Sequence, residues 1–223
     1  MTKNILSSAT WTLYASQRGC LRVIGSLLTG SLSALLAATL SGCGEVPTIV
    51  SPPPINHARC CTAYDRMTYE TLTSGQWSGG TLKDGGPTHD FAYGDSYFAA
   101  FALPSREPRI GRLEFRVFTS FSFMPNIAAF HPHFVFLDAD KKEIDHLVDP
   151  PVAYGVDKMA LKHGMFFHGE VEIPDRCEFV VVYTSTILRP NWSLRDAYGQ
   201  VWPVQQSMTG DFALRWHSDQ GVR

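Results

Sequence analysis

Phe167-His168-Gly169-Glu170-Val171-Glu172-Ile173 alternates apolar and polar side chains without a break, with a glycine on the apolar side. Successive side chains of a strand point to opposite faces, so this stretch predicts a strand buried on one face and wetted on the other. The same period of two recurs in both directions along the chain. Leu113, Phe115 and Val117 alternate with Glu114 and Arg116. Phe212, Leu214 and Trp216 alternate with Ala213 and Arg215. Tyr97, Ala99, Phe101 and Leu103 alternate before Pro104. Phe134 to Leu137 and Phe179 to Tyr183 are continuous apolar runs, which suit central strands covered on both faces.

Turn-forming residues separate these segments: Asp84-Gly85-Gly86-Pro87, Gly94-Asp95, Pro104-Ser105, Asp149-Pro150-Pro151 and Pro174-Asp175. No segment after Cys60 keeps a 3.6-residue period for three turns; the best helix candidate is short, near Ser193–Tyr198. Many short strands with Gly/Pro turns predict an all-β fold, an antiparallel β-sandwich or jelly roll, as a single domain.

The first forty-two residues carry Lys3, Arg18 and Arg22, no Asp or Glu, and a run of apolar and small residues from Val23 to Leu40. A basic segment followed by an apolar one is the layout of a secretion signal. The run ends in Leu40-Ser41-Gly42-Cys43, which resembles the bacterial lipobox. The rival reading, an uncleaved membrane anchor, is opposed by Ser26, Thr29, Ser31, Ser33 and Thr39, which dilute a run barely long enough to span a bilayer. The expectation is a lipoprotein signal peptide at 1–42. A lipidated tether at 43–59 and a β-sandwich domain at 60–223 follow. Gly44 rather than Asp follows the lipidated cysteine; by resemblance to Gram-negative lipoproteins this implies the periplasmic face of the outer membrane. Acyl chains on Cys43, at about 0.8 kcal/mol per buried CH₂, anchor such a chain firmly. Pro47, Pro52, Pro53 and Pro54 keep the tether extended.

Removing the signal takes three of the nineteen basic residues and none of the twenty-one acidic ones, leaving a net charge of −5 with histidine neutral. No basic run interrupts that balance, which argues against nucleic acid as a partner. Of the five cysteines, Cys20 leaves with the signal and Cys43 takes lipid. Cys60, Cys61 and Cys177 remain in an oxidising compartment. One of Cys60 and Cys61 is expected to pair with Cys177, closing a long loop for about 4–5 kcal/mol. A bridge between the neighbours Cys60 and Cys61 is the rival, with a small strained ring.

Several segments in fixed order carry a family resemblance. They are Ser96-Tyr97-Phe98-Ala99-Ala100-Phe101-Ala102-Leu103-Pro104, Ile110-Gly111-Arg112-Leu113 and Phe130-His131-Pro132-His133-Phe134-Val135-Phe136-Leu137-Asp138. Gly169-Glu170-Val171, Val182-Tyr183-Thr184-Ser185, Ala197-Tyr198-Gly199, Pro203 and Thr209-Gly210-Asp211-Phe212-Ala213-Leu214 complete the set. In order and spacing these resemble the maltose operon periplasmic protein family, from about Cys60 to Trp216. The Cys60-Cys61 start resembles lipoprotein members of that family. The resemblance implies a secreted β-rich domain associated with maltodextrin uptake, and no particular chemistry.

His131-Pro132-His133 is the nearest approach to a metal motif, because alternate residues of a strand share a face. Asp138, Asp140 and Asp145 stand near enough in sequence to add a ligand; the competing and favoured reading is surface histidines at a strand start. Asp138-Ala139-Asp140 with Glu143 lacks the spacing of a calcium loop and reads as a charged turn. No nucleophile elbow, HExxH, P-loop or dinucleotide fingerprint occurs, and Glu114, Glu170 and Glu172 fall on polar strand faces. Neither an enzyme nor a cofactor or metal is expected. Trp77, Trp192 and Trp202 fall in stretches read as loops, with Asn191 beside Trp192. An exposed indole stacks on a sugar ring and Asn binds hydroxyls. The competing reading makes these tryptophans lids on the ends of the sandwich.

The functional expectation is a non-catalytic accessory module in carbohydrate uptake of maltodextrin type. It would bind the sugar or a transport protein of the envelope. The alternative is a structural or protein-interaction lipoprotein of the cell envelope with no small-molecule ligand.

Overall fold

The computed structural model describes residue 55 and residues 60–104, 111–120, 127–156, 164–186, 192–195 and 199–218. Residues 1–42, Cys43, the tether apart from Ile55, and Asn191 lie outside the described residues. One short 3-10 helix, Tyr64–Arg66, precedes the strands. In chain order these are β1 (Tyr69–Thr71), β2 (Trp77–Leu82), β3 (Thr88–Phe91), β4 (Gly94–Ala102), β5 (Gly111–Phe118) and β6 (Ala128–Phe130). Then come β7 (His133–Leu137), β8 (Glu143–Leu147), β9 (Ala153–Val156), β10 (Met165–Glu172) and β11 (Phe179–Tyr183). The chain closes with β12 (Ser193–Arg195), β13 (Val201–Pro203), β14 (Gln205–Ser207) and β15 (Gly210–Ser218).

Two sheets form the body of an all-β fold. One runs β1-β4-β11-β7-β8, with β3 also on β4; the other runs β2-β15-β5-β10-β9. Nearly every pairing is antiparallel; β1 on β4 and β14 on β6 are parallel. The alternating segments put their apolar sets between the sheets. Tyr97, Phe101, Phe134, Phe136, Val180 and Val182 of the first sheet meet Leu113, Phe115, Val117, Phe167, Phe212 and Leu214 of the second. Each such side chain contributes about 1.5–3 kcal/mol on leaving water.

A third layer follows from the two continuous runs. Phe98, Ala100, Val135, Leu137, Val181 and Tyr183 point away from the second sheet, and Cys61, Met67 and Phe91 cover them. The segment from Cys60 to Met67 and the Phe91 side chain of β3 therefore lie as a lid over the other five strands of this sheet. Tyr64 Oη donates to Glu143 Oε2 of β8 (3.0 Å), and Tyr69 Oη donates to the Tyr64 carbonyl (2.8 Å), tying this lid across the sheet. The outer face of the five-stranded sheet carries charged side chains instead.

Three expectations need correction. The disulfide joins Cys60 to Cys61, and Cys177 is a buried free thiol. Cys177 belongs to the core between the sheets, whereas Cys61 lies in the cluster on the outer side of the six-stranded sheet, so the sheet itself stands between them. The helix expected near Ser193–Tyr198 begins instead as a strand: Ser193, Leu194 and Arg195 pair with Pro203, Trp202 and Val201. Trp77 and Trp202 sit in strands rather than loops, the first opening β2 and the second central to β13.

The Asp138 turn is formed as expected. Asp138 Oδ1 accepts the N–H groups of Asp140 and Lys142, each at 2.9 Å, and Lys141 adopts φ 59°.

Candidate functional site

The tryptophans are distributed over both sides of the fold. Trp192 is buried, with its ring against Phe167 (centroids 4.7 Å apart) and edge-on to His131 (5.5 Å). Its Nε1 has no hydrogen-bond partner among the described residues. Trp202, half-buried, packs on the same core from the β12–β13 hairpin. Trp77 lies elsewhere, on the edge strand of the five-stranded sheet. The structure thus brings Trp192 and Trp202 to one hairpin as core residues, and separates Trp77 from them.

His131 and His133 are buried, at 3 % and 1 % exposure, which overturns the surface-histidine reading. Pro132 between them is buried too, so the whole segment enters the fold rather than skirting it. His131 Nδ1 stands 3.4 Å from His133 Nε2, and His131 Nε2 stands 3.1 Å from Asp149 Oδ1. Among the described residues no group of three His, Cys, Asp or Glu side chains is arranged to hold a metal ion. His133 packs on Tyr183, whose hydroxyl lies 2.5 Å from His146 Nε2. Burial, with the charges of Tyr93, Tyr64 and Glu143, raises the Tyr183 pKa, so the phenol keeps its proton. His146 Nδ1 stands 3.6 Å from Glu143 Oε1. This group fixes side chains across β7, β8 and β11.

The outer face of the five-stranded sheet holds a different constellation. Register places Trp77, Arg215 and Glu114 side by side on β2, β15 and β5. Two pairs along, Ala213 of β15 faces Arg116 of β5. The guanidinium carbons of Arg116 and Arg215 lie 4.2 and 4.5 Å from the centre of the Trp77 ring. Arg116 also lies 4.7 Å from the Phe166 ring, and Phe166 meets Phe118 edge-on. The result is a strip of alternating rings and cations across the sheet, a cation–π arrangement that fixes both partners.

Glu114 anchors the strip. It accepts from Arg215 Nε at 3.0 Å and from a second guanidinium nitrogen of Arg215, and His217 Nε2 lies 3.2 Å away. Burial works to raise its pKa, but the hydrogen bonds from Arg215 and His217 and the charges of Arg215 and Arg116 together outweigh it. They hold this carboxyl below its ordinary value. Glu170 and Glu172 are exposed on the same face, and Glu170 pairs with Arg112 at 3.0 Å. Taken singly, Glu114 reads as a solvated acid. The signal lay in combining the outward positions of β5 and β15, which place a glutamate and two arginines within reach of one tryptophan.

Chemically the strip offers a rigid patch of aromatic surface and fixed cations, a surface suited to contact. Compared with known proteins, the chain matches no family model, no curated protein and no solved structure.

Proposed function

We propose that this chain is a non-catalytic accessory module, lipid-anchored through Cys43 at the periplasmic face of the outer membrane. It serves carbohydrate uptake of maltodextrin type by binding a protein of the transport apparatus. The anchoring rests on the Leu40-Ser41-Gly42-Cys43 sequence, and the pathway rests on the ordered segments from Ser96 to Leu214 that resemble the maltose operon periplasmic proteins.

The observation that favours a protein partner over a sugar is the state of the three indoles. Trp192 is buried, Trp202 is half-buried against the core, and Trp77 has two guanidinium groups on its ring. They form no common groove on which a sugar chain stacks. Trp and Arg are the residues that most often dominate the energy of protein interfaces. Here they are held rigid before contact, which lowers the ordering cost of association.

The test places a photo-crosslinking residue at Arg112 or Glu170, on the strip's own face, and at Lys142, on the turn after β7. The expected result is one defined adduct from the first two positions and none from the third. The adduct should vanish on Trp77→Ala, and that variant should slow growth on maltodextrin. If the adduct pattern is the same at all three positions, or Trp77→Ala changes neither adduct nor growth, the reading fails.

A further inference from the structure

The lid over the six-stranded sheet carries a disulfide that closes no loop, because Cys60 and Cys61 are adjacent in the chain. A disulfide stabilises a fold chiefly by restricting the unfolded chain, and the effect grows with the loop it closes. A bridge between neighbours restricts almost nothing. The lid is fastened by other means. The Cys60 N–H donates to the Thr88 carbonyl (3.1 Å), and His89 Nδ1 donates to the Cys61 carbonyl (2.8 Å), which can only accept. Both cysteines are thus tied to β3 through their backbones. Further along, Tyr64 Oη donates to Glu143 Oε2, and Lys141 Nζ donates to the Asp65 carbonyl (3.4 Å).

The two cysteines differ in access. Cys60 is exposed, whereas Cys61 is buried in the cluster that holds Phe98, Ala100 and Val181. In thiol–disulfide exchange a thiolate attacks one sulfur of the bridge and the other sulfur leaves. Exposure therefore directs attack to Cys60 and makes Cys61 the leaving group. The fold already provides for the sulfur that leaves. Cys61 Sγ stands 3.7 Å from the Arg66 carbonyl oxygen, an acceptor that a bridged sulfur cannot use and a thiol can. Cys177 takes no part, because its thiol lies in the core between the sheets, on the other side of the six-stranded sheet.

We infer that the Cys60–Cys61 bridge is a redox site, reduced by a dithiol protein that attacks Cys60, and not a structural clasp. The donor's thiolate forms a bond to Cys60 Sγ and the Cys60–Cys61 bond breaks. Cys61 leaves with the electron pair and takes up the proton that the donor's thiol released. The donor's second thiolate then attacks the mixed disulfide. Cys60 leaves, takes up the second proton, and the donor ends as a disulfide. The lid protein gains two electrons and two protons, and the donor loses them. The lid stays seated, because the step touches none of the hydrogen bonds that fasten it. The bridge lies on the six-stranded sheet and the Trp77 strip on the five-stranded one, so either reading stands if the other fails.

Three measurements on the full-length protein test this without any variant of it. Dithiothreitol should reduce the bridge in the native chain within about tenfold of the rate in unfolding urea, read by alkylation and mass after an acid quench. Urea below the unfolding transition should leave that rate unchanged. A rate that is slower than this, or that climbs with urea below the transition, shows that the bridge opens only on unfolding and overturns the assignment. A thioredoxin-type protein whose second active cysteine is replaced by serine should be captured as a mixed disulfide, and fragment masses should place it on Cys60. Capture on Cys61, or no capture, overturns the route. Finally, the oxidised chain and the chain kept reduced should share a urea midpoint to within about 0.5 M. A larger drop on reduction makes the bridge a structural clasp and sinks the inference.

Discussion

Phe91 of β3 stacks on Tyr183 of β11, with ring centroids 4.0 Å apart and planes 11° from parallel. This contact joins the lid to the central strand of the six-stranded sheet. Phe91 also meets Phe98 edge-on at 6.1 Å and is 4 % exposed, so nothing else fills its place. Phe91→Ala should lower the unfolding free energy by about 3–5 kcal/mol, read from urea denaturation. A loss below about 1 kcal/mol would mean that the lid is not packed as described.

Glu114 predicts a pH dependence with a definite sign. Its carboxyl titrates below the ordinary 4.5 in the folded chain, so it binds fewer protons folded than unfolded. Its contribution to stability is therefore complete above that ordinary value and fades as pH falls through the folded value. Glu114→Gln should cost stability at neutral pH, and the gap between the two proteins should close as acid is added. Urea midpoints measured along a pH series check this; a gap that widens in acid would contradict the Arg215 and His217 contacts.

The thiol count follows from burial. Burial pushes the Cys177 thiol up to about 12, despite hydrogen bonds at Leu137 and Phe179 that favour the thiolate. Iodoacetamide should not label Cys177 in the native protein near pH 8. After unfolding without reductant it should label Cys177 but neither Cys60 nor Cys61, and a peptide holding Cys60 and Cys61 should run two mass units lighter than its reduced form. Labelling of Cys60 or Cys61 before reduction would show the bridge to be absent.

Gly169 is paired with Phe115, and two neighbours leave no space for a side chain. A Cβ there would stand 2.4 Å from the Pro151 carbonyl oxygen and 2.7 Å from the Phe115 ring. Gly169→Ala should destabilise by about 1–3 kcal/mol. Phe115→Leu in that background should relieve the ring contact but not the one with the Pro151 carbonyl, so a double-mutant cycle should show partial coupling between the two sites. Strict additivity would mean that the ring contributes nothing to the clash.

Much of the body of the fold was legible because period-two patterning is a direct consequence of strand geometry. Leu113, Phe115, Val117, Phe167, Val171, Phe212, Leu214 and Trp216 all lie in the inter-sheet core as their alternation required. Tyr97, Ala99, Phe101 and Leu103 did too, but the residues between them mislead. Phe98 and Ala100 are buried as well, under a lid formed by residues far upstream. Strands β1, β2 and β3 went unread: they are short, and Ser78, Gly79 and Gly80 of β2 have no alternating hydrophobicity. The helix expectation at Ser193 failed because pairing with β13 decides three residues that have no strong preference alone. The disulfide followed from which side of a sheet each cysteine occupies, and spacing carries no such information. The histidines were misjudged because polar residues are usually placed at surfaces, whereas buried ones persist when partners such as Asp149 stand within reach.

Double-sided cover has a cost outside the native state. Phe179-Val180-Val181-Val182-Tyr183 holds no charge, no proline and no glycine, which is the composition of a self-pairing segment. In the finished molecule it is safe, flanked by β4 and β7 and roofed on both sides. A newly made chain has none of that shelter until residues more than a hundred positions earlier fold back over it. Mutations that loosen the roof should therefore appear as aggregates before they appear as lost native structure.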